Sequence, residues 1–84
     1  MTATRDLIEL ECDAVKKLLL EKNAAYGDSA MNPLRVFSRA DVVEQLKVRI
    51  DDKLSRMARG KPDEEDIVLD LIGYLILLRI AEGR

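Results

Sequence analysis

The chain reads as all-α: a three-helix protomer of two long antiparallel helices plus an N-terminal helix, expected to assemble into a helical-bundle oligomer. Three observations carry this reading. Among 48% apolar residues there are one Phe, two Tyr and no Trp, so the core is aliphatic. Apolar side chains recur at spacings of three and four, and no segment has the alternating, β-branched pattern of a strand. The last apolar segment is apolar on every side, and the 84 residues make one small domain with little other surface to cover it.

The first helix is expected over about 6–23. Leu7, Ile8, Cys12, Val15, Leu18 and Leu19 follow a helical period, with Asp6 as N-cap and Glu9 three residues on. Glu11, Asp13, Lys16, Lys17 and Glu21 form its solvated face. A loop is expected over 24–38, where Tyr26-Gly27-Asp28-Ser29 and Asn32-Pro33 supply turn chemistry. Loops of this length in compact domains often carry function, so ligand contacts are sought here.

The second helix, over about 39–59, is given Ser38 as N-cap, Asp41 at the third helical position, and a Phe37–Val42 staple. Arg56 and Arg59 suit its C-terminal dipole, and Gly60 with Pro62 closes it. Val43, Leu46, Ile50, Leu54 and Met57 form a seam along roughly 30 Å of helix. The third helix is expected over about 63–82, opened by the acidic run Asp63 to Asp66. Its apolar circumference needs more cover than two helices give, which predicts burial against another subunit, in a dimer or tetramer.

Charge and composition exclude several function classes. Fourteen basic against sixteen acidic residues give a net charge of −2, unsuited to gripping duplex nucleic acid through its phosphates. One cysteine, Cys12, and no histidine rule out the usual zinc sets, and Cys12, read as lying among apolar residues, fits a reducing cytoplasm. The N-terminus lacks a signal-peptide core. The longest apolar run, Ile67 to Ala81, is interrupted by Asp70 and Arg79, so no membrane partner is expected. Nucleophilic catalysis has no histidine to activate Ser29, Ser38 or Ser55.

On the second helix Arg49, Asp52, Lys53 and Arg56 share one stripe beside the apolar seam; on the third, Asp66, Asp70 and Gly73 share another, with Tyr74 adjacent. Asp70, inside an apolar run, needs a cation. Either the basic stripe supplies it, or Mg²⁺ does, bringing phosphates with it. With Lys22 and Asn23 just before the loop, cationic donors exceed what Asp70 and Asp52 use, a balance that suits an anionic ligand. Tyr26 offers a face on which a base could stack, although loop packing is its commoner use. Tyr74 reads as a core tyrosine bonded to Asp70, and Gly73 as a site of close helix packing.

Taken together, Lys22-Asn23-x-x-Tyr26-Gly27-Asp28-Ser29, Arg49-Ile50-x-Asp52-Lys53-x-x-Arg56 and Asp66-x-x-x-Asp70-Leu71-x-Gly73-Tyr74 resemble the nucleotide-modification-associated family of phages and bacteria. That family is similar to a distant branch of the all-α, MazG-like nucleotide pyrophosphohydrolases. The resemblance spans about 18–78 and implies a cytoplasmic nucleotide-binding protein, in the host cytoplasm if phage-encoded. MazG-like enzymes hold Mg²⁺ with a Glu-Glu-x-x-Glu set and a Glu-x-x-Asp pair. Here Asp51, Asp52, Asp66 and Asp70 stand nearest those places, with Lys53 and Arg56 among them, and Ala25 replaces the family's usual Asp before Tyr-Gly.

Such a depleted carboxylate set favours gripping phosphate over activating water. The preferred expectation is an oligomer that captures a phosphorylated nucleotide or nucleotide-derived signal, by analogy an anti-defence sponge, with no cofactor required. Lys22, Arg49, Lys53 and Arg56 would contact phosphates. Asn23 and Asp28 would meet sugar or base beside Gly27, Tyr26 would stack, and Asp52, Asp70 and Tyr74 would complete the site. The alternative is a Mg²⁺-dependent nucleoside triphosphate pyrophosphohydrolase with Asp52, Asp66 and Asp70 on the metal. A third reading is a scaffold whose charged stripes only pair with each other.

Overall fold

A computed structural model describes residues 3–60 and 66–83, and among them there are three α-helices and no strand. Helix α1 runs Thr4–Tyr26, α2 Val42–Ala58 and α3 Ile67–Ala81. No helix among the described residues is long and apolar enough to cross a membrane.

Helix boundaries depart from expectation for local reasons. α1 starts ahead of Asp6, with Ala3 at the N-cap and no side-chain cap. It also outruns Asn23: Ala24 and Ala25 are strong helix formers, and the chain stops only at Gly27, whose left-handed φ of 59° costs glycine little. α2 is capped by Asp41, not Ser38. The Asp41 carboxylate accepts the Glu44 N–H at 2.8 Å, while the Ser38 hydroxyl accepts the Ala40 N–H, two residues on. Moving the cap three residues removes the Phe37–Val42 staple, and Phe37 is 97% exposed. The intervening loop therefore covers 27–41. Gly60 closes α2 as expected, at φ 64° with its N–H on the Met57 carbonyl. At α3 the cap is Asp66, accepting from Leu69 N–H at 3.0 Å; the expected start at Asp63 lies outside the described residues.

α3 is central. It packs against both other helices, whereas α1 and α2 make no close backbone approach to each other. Lys22 meets Asp70 and Leu19 meets Gly73, so α1 runs antiparallel to α3. Lys53 meets Asp70 while Arg49 and Tyr74 flank the same cleft four residues further along each helix, so α2 is antiparallel to α3 as well. An added Cβ at Gly73 would stand 3.1 Å from Leu19 Cδ2, which explains glycine where α1 crosses.

The core is small: Val15 and Leu46 are 4% and 1% exposed. Besides Leu34, Val36 and Phe37 in the loop, two helical apolar regions stay uncovered. One is the back of α3, where Val68, Ile72 and Leu75 are exposed with Ile76 and Ile80 at the edge. The other is the first half of α1, including Leu7, Ile8 and Leu10, and Cys12 there is exposed too, not set among apolar neighbours.

Candidate functional site

α1 and α2 flank α3 without a close backbone approach to each other, and a groove lies between them with α3 as its floor. It holds about 350 Å³. Leu18, Leu19, Lys22, Asn23 and Tyr26 form the α1 wall and Arg49 stands on the α2 side; Asp70, Gly73, Tyr74 and Leu77 recur at helical spacing along the floor. The turn carrying Asp28 to Met31 closes one end.

Asp70 is the electrostatic centre. Lys53 Nζ donates to its Oδ2 at 3.3 Å and Lys22 Nζ lies 3.6 Å from Oδ1, so one carboxylate joins all three helices. The side chains of Lys53 and Asp70 are 11% and 14% exposed, and Lys22 is 52% exposed. The inner pair is thus sheltered from solvent, and the outer ammonium remains open to it. Of the residues in the predicted stripe Lys53 reaches Asp70, and Lys22 joins it from α1.

Asn23 and Asp28 build the turn. Asn23 Nδ2 donates to Asp28 Oδ1 at 2.8 Å and Asn32 Nδ2 to Asp28 Oδ2 at 2.7 Å. Asp28 adopts φ 63°, a left-handed conformation that aspartate tolerates better than most residues, and its carbonyl accepts the Met31 and Asn32 N–H groups. Both carboxylate oxygens thus serve the loop. Gly27 is the helix stop, not a wall of the cleft.

Seven expected ligand residues therefore meet at one cleft: Lys22, Asn23, Tyr26, Asp28, Arg49, Asp70 and Tyr74. Lys53 lies beneath, engaged with Asp70. Asp52 and Arg56 do not line it, and pair with each other at 3.2 Å along α2. Tyr74 lines the cleft, but its hydroxyl makes no hydrogen bond to Asp70, contrary to expectation, and has no partner among the described residues. Arg49 likewise makes no ion pair with any described residue. Leu18, Leu19 and Leu77 carry no sequence mark beyond that of core residues, yet all three line the groove; extending the Asp70–Gly73 stripe one more turn reaches Leu77.

The carboxylates suggested for Mg²⁺ do not form one oxygen cage. Asp66 caps α3, Asp52 is held by Arg56 and Asp70 lies between two ammoniums. Among the described residues no three His, Cys, Asp or Glu side chains gather into a metal-binding group.

No family model, curated protein or solved structure matches the chain. The site must be interpreted from its own chemistry. Two cations, Lys22 and Arg49, and two carboxylates, Asp28 and Asp70, line a groove with leucine and tyrosine walls; both Asp28 oxygens are taken by Asn23 and Asn32, and Asp70 is also held by Lys53.

Proposed function

We propose that the chain is an oligomeric, MazG-like nucleotide-binding protein that captures a phosphorylated nucleotide or nucleotide-derived signalling molecule in this cleft without cleaving it. The observation carrying this reading is Arg49, without an ion pair among the described residues, at the edge of a groove that also holds the half-exposed Lys22 ammonium; Arg49 borders a second hollow beside Pro33 and Leu34 as well. Charged hydrogen-bond donors of this kind, beside apolar walls, suit a phosphate attached to a flat base. Tyr26 at the rim supplies a stacking face, and the Tyr74 hydroxyl an unused polar contact. Asn23 and Asp28 act by holding the turn, and Lys53 by holding Asp70. Lys22 and Arg49 do the gripping.

The uncovered back of α3 supports the oligomeric part. Val68, Ile72 and Leu75 lie on the side of α3 opposite Asp70 and Leu77, so a subunit could cover them and leave the cleft open. The resemblance to phage and bacterial nucleotide proteins is consistent with a sponge that withholds a signal.

Calorimetry and thermal shift against nucleoside mono- and triphosphates, cyclic dinucleotides and ADP-ribose, with and without Mg²⁺, test the proposal. Binding without Mg²⁺ and recovery of intact ligand are expected. Arg49→Ala should weaken binding by about 10–150-fold, equivalent to about 1.5–3 kcal/mol for hydrogen bonds to a charged group. Mg²⁺-dependent pyrophosphate release would replace capture with hydrolysis, and unchanged affinity in Arg49→Ala would remove the phosphate site.

A further inference from the structure

The loop and the free end of α1 are both apolar, both uncovered and oppositely charged. In the loop, Leu34 and Phe37 are 89% and 97% exposed, Val36 is exposed as well, and Arg35 and Arg39 stand among them without an ion pair to any described residue. No acidic residue occurs from Pro33 to Arg39. The start of the arm borders α2 at Glu44, Gln45 and Val48, but an arm whose Leu34, Val36 and Phe37 stay exposed beside two cations is poorly explained as a solvent-facing connector.

At the other region, α1 overhangs its support. The register that sets Lys22 against Asp70 and Leu19 against Gly73 brings the last helical residue of α3, Ala81, about level with Glu11. Leu7 and Ile8 continue the stripe that buries Val15, but they lie beyond the end of α3 and remain exposed. Glu11 sits on that same stripe, four residues after Leu7 and three after Ile8, and it too has no ion pair with a described residue. Asp6, Glu9 and Asp13 make the surrounding surface acidic.

We infer that the 33–39 arm of one copy docks on the α1 overhang of a second copy, setting Leu34, Val36 and Phe37 against Leu7 and Ile8 and bringing Arg35 or Arg39 to Glu11. In a two-fold pair the exchange is reciprocal, so each copy gives an arm and receives one. The contact stands apart from whatever the cleft holds, and it uses neither the back of α3 nor any cleft residue assigned to the ligand.

Sedimentation of the full chain tests the inference. Phe37→Asp, Glu11→Arg, and Arg35→Glu with Arg39→Glu should each weaken self-association by about tenfold or more, while the triple variant that swaps both signs should recover much of it. All these positions are exposed, and circular dichroism verifies that the helices persist. A second measurement uses Cys12, the single native cysteine. Phe37→Cys in a Cys12→Ser background, co-expressed with the native chain and oxidised with copper phenanthroline, should give a mixed disulfide dimer that the variant alone does not. A monomeric native chain, unaltered association in both charge variants, or no mixed dimer would overturn the inference. Loss of this contact with nucleotide binding intact would leave the proposed function standing.

Discussion

The two faces of α3 are built on different principles. Toward the cleft it presents Asp70, Gly73, Tyr74 and Leu77, each with a defined relation to another helix or to the groove. On the reverse it presents Val68, Ile72 and Leu75, exposed and without polar features. The first face is specified inside one chain, by charge placement and by a glycine that admits a leucine. The second has only apolar area, which is non-directional and is satisfied by any surface of matching shape. The cleft face is thus tied to its own chain by charge and fit, and the reverse is left as exposed apolar area.

The largest expected effect attacks the cleft face. Asp70→Ala removes a carboxylate that joins the three helices and takes from the sheltered Lys53 its carboxylate on α3, so unfolding in urea should show a loss toward the low end of about 3–5 kcal/mol. An unchanged midpoint would mean that the ion pairs are incidental. The reverse face should respond in another observable. Ile72→Glu should leave protomer helicity intact yet abolish self-association through that surface, at about 1.5–3 kcal/mol for each large side chain no longer buried. If sedimentation is unaltered, the apolar reverse is not an interface. The smallest effect is expected at Gly73→Leu, where crowding against Leu19 should cost about 1–3 kcal/mol and narrow the groove. Full stability with full ligand affinity in that variant would separate the cleft from the α1–α3 crossing.

The three helices are legible in the sequence because their apolar periods are strong, and Asp70 announces its need for cations by standing in an apolar run. Cap choice is harder. Ser38 and Asp41 are both good N-cap types, and only tertiary placement decides that the Ser38 hydroxyl turns to Ala40 while Asp41 takes the helix. The same shift accounts for the lost staple at Phe37. In the site, charged and aromatic members can be picked out by type. Leu18, Leu19 and Leu77 cannot, since a leucine lining a groove and a leucine filling a core look alike until the gap between α1 and α2 is seen. The family resemblance marks Asn23 and Asp28 as ligand contacts, but their polar atoms meet each other in the turn.

The shared carboxylate at Asp70 has a mechanical consequence. Among the described residues α1 and α2 make no close backbone approach, and at the cleft each reaches α3 through a lysine arm converging on one anchor. Flexible tethers of that kind tolerate changes in span that tightly meshed side chains resist. Any change in the distance between α1 and α2 at this point must stretch or relax those two arms, so the width of the groove and the strength of the two ion pairs are coupled.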